Sequence, residues 1–217
     1  MVEGIVWLGH DSFRITGDGK TVYVDPWHLA PNAPAADLIL VTHDHYDHLS
    51  KGDIEALRKA DTVVVGPAEV TKALAGETRT ISPGERLTVH GVTVTAVPAY
   101  NVNKFREPGQ VFHPKADGKV GYIVEIGGRR IYHAGDTDLI PEMDDIDVDV
   151  ALLPVSGTYV MTADEAAEAC THLKAAVAVP MHYGTIVGSL DDARRFQQRC
   201  PLPVEILPQS DGAKESR

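Results

Sequence analysis

Thr42-His43-Asp44-His45-Tyr46-Asp47-His48 packs His43, His45, Asp47 and His48, all able to ligate a metal, into six residues. It follows Asp37–Val41, an apolar run with the length and character of a strand. Alternate side chains of an extended segment share a face, so His43 and His45 can point to one spot. The chain must then turn, because Ser50 to Lys59 reads as an amphipathic helix with Ser50 at its N-cap and Asp53 three residues on. Asp47 and His48 fall in that turn and reach a neighbouring spot. The pattern His-x-His-x-Asp-His therefore predicts a split ligand set for two adjacent divalent cations. The plainer reading is a polar loop with solvated histidines.

Two later segments also place a polar residue where a strand ends. Arg130-Ile-Tyr-His-Ala-Gly-Asp136-Thr-Asp138 runs from a strand into a turn at Gly135, where a missing Cβ lets the backbone approach an ion. Ala176-Val-Ala-Val-Pro-Met-His182-Tyr-Gly184 is an apolar strand that ends in His182. Taken singly, Asp136 reads as a turn former and His182 as polar surface. Joined to the first run, both read as ligands, with Asp136 able to place one carboxylate between two cations.

Thr42–His48, Ala134-Gly-Asp-Thr137 and Pro180-Met-His-Tyr-Gly184, in that order, resemble the metallo-β-lactamase-fold hydrolases. Trp7-Leu-Gly-His-Asp-Ser-Phe13 and Val24-Asp-Pro-Trp27 are similar to the branch of N-acyl-phosphatidylethanolamine phospholipase D-like and ascorbate-phosphate lactonase-like proteins. The resemblance implies a four-layer αββα sandwich with metals at one edge. It implies that His43 and His45 hold a first metal, that Asp47, His48 and His182 hold a second, and that Asp136 bridges them. The family's first metal takes a third histidine from the loop after the strand ending here at Val97-Pro98, but this chain reads Ala99-Tyr100-Asn101. His113, later in the same loop, is the candidate replacement. The alternatives are an oxygen from Asn101, or a weak first site with His113 facing substrate.

The remaining chain fits that architecture. Strand signals at 4–8, 12–16, 21–25, 62–65 and 148–154 mix with hairpins at 86–98 and 121–133 and with helices at 67–75, 162–174 and 190–199. Together they predict an α/β (α+β) fold of two mixed sheets packed together with helices outside. A last strand is expected at Val204–Leu207. The reading is one domain over residues 1–210, with a polar tail over 211–217. The loop from Asn101 to Lys119 is long enough to suggest a functional role. Cys170 and Cys200 are too few for a disulfide framework, and no apolar stretch is long enough to span a membrane. The N-terminus shows no secretory pattern, so a cytoplasmic location is expected.

Imidazole and carboxylate donors without sulfur suit Zn²⁺ first, with Mn²⁺ or Fe²⁺ as alternatives. Two dications held by Asp47 and Asp136 leave a formal charge of about +2, which moves a bridging water's pKa towards ~7 and yields hydroxide at neutral pH. Asp47, His48 and Asp136 are the expected catalytic centre, cleaving an ester, lactone or phosphodiester of a small, anionic molecule. His10 and Asp25 are read as groups that fix the tautomer of a metal-bound histidine. Asp138 and His133 are candidates for similar parts, although a histidine inside a strand is more often core. Tyr159, Tyr183, Tyr100 and Asn101 are candidate substrate contacts, with packing the plainer reading for the tyrosines, and Lys104 and Arg106 are candidate anion contacts. A nuclease of this fold is opposed by the net charge of −11. A non-catalytic metal binder is opposed by the retained carboxylates, and a di-iron oxidoreductase by the lack of a carrier domain. Self-association is left open.

Overall fold

In the computed structural model, which describes residues 1–210, the first third folds into β1 (Ile5–Gly9), β2 (Ser12–Gly17), β3 (Lys20–Val24), β4 (Leu38–Leu40), β5 (Val63–Gly66) and β6 (Thr78–Thr80), neighbours in that order in one sheet. The first three pair antiparallel and the last four parallel. The apolar run before the histidine motif lacks alternation because both faces of β4 are covered. Leu38 and Leu40 face the second sheet, whereas Ile39 and Val41 pack under α1 (Lys51–Leu57) and α2 (Ala68–Lys72) with Ile54, Leu57 and Val70. Each such fully buried aliphatic side chain contributes about 1.5–3 kcal/mol.

The second sheet contains β7 (Arg86–Val89) and β8 (Val92–Pro98), and a separate small hairpin of β9 (Phe105–Glu107) and β10 (Gln110–Val111) interrupts the long loop. It continues with β11 (Val120–Ile126), β12 (Arg129–His133), β13 (Asp147–Pro154) and β14 (Lys174–Met181), in the order β14-β13-β12-β11-β8-β7. Here too one half is antiparallel hairpins and the other parallel strands. α3 (Ala163–His172) and α4 (Leu190–Arg199) lie on its outer face, burying Ala166, Ala169, Cys170 and Phe196. The result is the αββα sandwich.

Thr162 and Glu165 form the expected capping box at α3. α1 has none: Ser50 donates to Asp53, whose carboxylate also accepts the backbone N–H groups of His28 and Leu29. The strand expected at Val204–Leu207 does not form. Ala178 N–H donates to Pro203 O and Glu205 N–H donates to Ala178 O, making one isolated parallel bridge. Pro203 has no N–H for the ladder, and Pro208 follows closely. The tail over 211–217 lies outside the described residues.

Pairing dictates where the site falls. β12, β13 and β14 run parallel, so their C-terminal ends share one edge of the sheet. β11 is antiparallel to β8 and β12, and Pro98↔Val120 and His133↔Tyr122 bring two more loops to that edge. Val120 N–H donates to Thr42 O at 3.3 Å and His182 N–H to His10 O at 3.1 Å, joining the two sheets there.

Candidate metal centre

Two groups of ligand-type side chains meet at this edge: His43, His45, His113 and Asp136 in one, and His10, Asp11, His48 and His182 in the other. Asp136 faces both. Its Oδ2 lies 3.9 Å from Nε2 of His43 and of His113, and its Oδ1 lies 3.4 Å from His48 Nε2 and 3.5 Å from His182 Nε2. In the second group Asp11 Oδ2 stands 3.6–3.8 Å from His48, His182 and His10 Nε2. Four donors at the ~2.0–2.1 Å bonds of a tetrahedral zinc site are about 3.4 Å apart, so these spacings suit a shared cation.

Unsatisfied atoms support the same fit. Among the described residues, the buried side-chain nitrogens and oxygens without a hydrogen-bond partner are His10 Nδ1, both Asp11 oxygens, His43 Nε2, His48 Nε2, His113 Nδ1 and Asp136 Oδ1, plus Arg58 Nε and Asp138 Oδ1. The last two each have a charged neighbour, Glu55 and Lys104. Buried polar groups are normally paired, so the orphans that face one another here, His43 Nε2, His48 Nε2, the Asp11 oxygens and Asp136 Oδ1, mark a place for positive charge.

Neighbouring side chains direct the free nitrogens inwards. Asp25, in a left-handed backbone conformation after β3, accepts from Thr42 N–H at 2.8 Å, Thr42 Oγ1 at 2.6 Å and His48 Nδ1 at 2.7 Å. Because Thr42 spends its hydroxyl proton on Asp25, its oxygen accepts from His43 Nδ1 at 3.0 Å. Ser156 accepts from His182 Nδ1 at 2.9 Å while donating to Thr158 O. In each case Nδ1 carries the proton and Nε2 is left free to ligate. Asp25→Asn removes an acceptor from this arrangement, and its affinity for Zn²⁺ should fall about 10–100-fold. Chelator competition measures this, and an unchanged constant would remove Asp25 from the support of His48.

Electrostatics reinforce the division of the site. Burial pushes the Asp136 carboxyl up, but His48, His182 and His43 outweigh it and hold it well below the usual range. Burial pushes Asp11 up, and the opposing imidazoles do not cancel it. Burial and neighbouring His48 keep His43 well below the ordinary imidazole value, and burial brings His113 down to about 4, so both favour the neutral, metal-binding form. His48 and His182 go the other way: nearby carboxylates outweigh burial, and a bound cation would take the place of that extra proton.

Several sequence candidates stand elsewhere than expected. Asp47 sits at the margin of the second group, with Oδ2 3.2 Å from His10 Nε2 and 3.9 Å from His48 Nε2. His10 belongs to that group, beyond the supporting part assigned to it. Asn101 is not free to ligate, since Oδ1 accepts from His113 N–H at 3.0 Å and Nδ2 donates to Tyr159 O at 2.8 Å. It instead holds His113, whose Nε2 lies 3.4 Å from His45 Nδ1. Asp138 accepts from the N–H groups of Val102 and Asn103 and braces the start of the long loop. Tyr183 is buried and stacks on Trp7 at 4.7 Å, and Tyr159 packs edge-on against Phe112. Tyr100 donates to Glu142. Lys104 pairs with Glu165 and Asp138, and Arg106 lies over the Phe112 ring.

Asp11 was not singled out from the sequence. Its signal was the Gly9-His10-Asp11-Ser12 corner between β1 and β2, where His10 adopts a positive φ and the pairing register shifts. His133, buried in β12, donates from Nε2 to Asp11 O at 2.8 Å and accepts at Nδ1 from Gly135 N–H. It thus fixes the corner carrying Asp11 against the turn carrying Asp136. Gly135 has φ +64, and a Cβ there would come within 2.8 Å of Val120 O.

Comparison with known proteins gives a consistent picture. Residues 4–182 match the β-lactamase superfamily domain. A metal-dependent hydrolase of Methanopyrus kandleri is 34% identical over 233 residues, covering 98% of this chain and 99% of its own. A crystal structure from Parabacteroides distasonis, described as a metal-dependent hydrolase, superposes with a TM-score of 0.83 at 33% identity, covering 95% of this chain and 93% of that one. A second, from Thermotoga maritima and described as a Zn-dependent hydrolase of the metallo-β-lactamase superfamily, gives 0.59 at 29% identity over 89% of this chain and 84% of that one.

Proposed function

Because the chain belongs to the β-lactamase superfamily and is a metal-dependent hydrolase of that fold, we propose that it binds two divalent cations, zinc foremost, and cleaves an ester, lactone or phosphodiester bond of a small molecule. The observation that carries this reading is Asp136, with one oxygen towards each of two orphaned donor groups. Donors without sulfur suit zinc, as does the description of the Thermotoga maritima relative. When bound, the ions supply Lewis acidity that activates water and polarises the scissile group. His43, His45, His113 and Asp136 would hold the first ion, and His48, His182, His10 and Asp11 the second, with Asp136 shared. In this ligand set Asp11 takes the place expected of Asp47, so the formal charge with two ions stays at about +2.

Asp47 is the chain's own proton acceptor in this reading. Burial pushes its carboxyl up, but the His10 hydrogen bond and His48 outweigh this and keep it ionised at neutral pH. It stands at the margin of the second group, partly exposed, where a reacting water and its substrate meet. Asn101 weakens the non-catalytic alternative, because the departure from the family pattern at this position serves to seat His113. Among the described residues no helix is long and apolar enough to cross a membrane.

Elemental analysis of the purified protein, followed by assay against p-nitrophenyl acetate, a chromogenic lactone and bis-p-nitrophenyl phosphate, tests the proposal. Turnover should vanish with chelator, return with Zn²⁺, and be lost in His43→Ala. Metal-loaded protein inert towards all three substrates, or activity indifferent to His43→Ala, would refute it.

A further inference from the structure

Lys119 ends the long loop, and its side chain is only 8% exposed. Its ammonium has one partner among the described residues, Asp44 Oδ1 at 3.2 Å, and Asp44 is itself 49% exposed. The other cations of this loop are occupied: Lys104 by Glu165 at 2.8 Å, Lys115 by Glu142 at 2.6 Å, and Arg106 by the Phe112 ring. Asp44 lies between His43 and His45 in the chain, Val120 N–H binds Thr42 O, and His113 stands on the same loop as Lys119. The ammonium therefore sits beside the first metal group, and its charge contributes to the low imidazole values of His43, His45 and His113.

This placement runs against the electrostatics of the site. A nearly buried ammonium next to a group built to hold a dication is repelled by it, and one half-exposed carboxylate is a weak offset. A structural brace gains nothing from such a location. An anion-binding group gains a great deal, because burial strengthens its attraction for an incoming oxyanion.

Resting on the hydrolase reading, we infer that Lys119 determines substrate specificity by binding a carboxylate or phosphate oxyanion of the substrate beside the first metal group, with Asp44 holding the ammonium until that anion displaces it. The substrate class is then a small molecule carrying a negative group close to its scissile bond. Asp44 competes with the substrate for one cation, so its removal and the removal of Lys119 should act in opposite directions. That opposition is what a simple ion-pair brace lacks.

Isothermal titration of zinc-loaded protein with inorganic phosphate reads this without turnover. Lys119→Met should weaken phosphate binding about tenfold or more, the scale of a lost charge-assisted hydrogen bond. Asp44→Asn should strengthen it several-fold, and Lys119→Arg should restore much of the affinity. Loss of binding in both Lys119→Met and Asp44→Asn, or no change in either, would overturn the assignment, and Asp44→Asn decides the matter alone if Lys119→Met does not fold. The outcomes also separate the two readings. Opposite shifts in phosphate affinity without hydrolysis of any ester would keep the anion site and refute the hydrolase, whereas active enzyme with phosphate binding indifferent to both changes would do the reverse.

Discussion

Asp136→Ala should strip metal from both donor groups at once, whereas His113→Ala should weaken only the first. The difference follows from geometry: Asp136 Oδ2 faces His43 and His113, while Oδ1 faces His48 and His182. Removing it deletes one carboxylate from two coordination shells, leaving the first group with imidazoles only and the second with Asp11 as its one anionic donor. Lewis acidity is worth several kcal/mol of transition-state stabilisation, and each ~1.4 kcal/mol is tenfold in rate. Hydrolysis should therefore fall roughly 10³-fold or more. His113→Ala should keep a tightly held ion in the His48 group and lose chiefly first-site occupancy. Metal stoichiometry after dialysis checks both. If Asp136→Ala retained the wild-type metal content, the shared-carboxylate reading would be wrong.

Much of this arrangement is legible in the sequence, and the illegible parts have physical reasons. The apolar run before Thr42 betrayed a strand covered on both faces, because Ile39 and Val41 are as apolar as Leu38 and Leu40. His43, His45, His48, Asp136 and His182 follow strand ends, and the parallel pairing of β12 to β14 and of β3 to β5 gathers such ends along an edge. His113 was harder, because its position depends on the Pro98↔Val120 pairing that brings both ends of a long loop together and on Asn101 binding its backbone. Lys104 and Arg106 were the loop cations singled out, whereas nothing local in the sequence marks Lys119, whose burial depends on the fold. The β9–β10 hairpin inside the Asn101–Lys119 loop carries no strand signal in the sequence because its strands are short and exposed. Val204–Leu207 failed in the opposite sense: its residues suit a strand, but flanking prolines restrict the ladder to one bridge. Asp11 was passed over because an aspartate in a tight corner ordinarily serves the turn.

Asp11→Asn should make the metal-free protein more stable and the metal-loaded protein less so. Asp11 is fully buried, and neither oxygen has a hydrogen-bond partner. Burial, only partly opposed by His182 and His10, raises its pKa above the ordinary carboxylate value. The sign follows from linkage. Above pH ~4 the unfolded chain releases this proton more readily than the folded one, so the ionised group lowers native stability as pH rises. A neutral isostere escapes that cost at neutral pH, by on the order of 1–3 kcal/mol, and at about 2–4 °C per kcal/mol for a chain of this size the melting temperature of metal-free protein should rise by several degrees. Below pH ~4, where Asp11 is protonated in both states, the advantage should disappear. With zinc the order reverses, because the variant loses an anionic donor beside His48 and His182, and affinity should fall by more than the roughly 10–100-fold of an outer-sphere change. Calorimetric melting of both proteins with and without Zn²⁺ at neutral and acid pH reads the crossover. A variant less stable in both states would mean that Asp11 serves the corner between β1 and β2. The predicted inversion marks it as a group held at a cost to the fold for the sake of the ion.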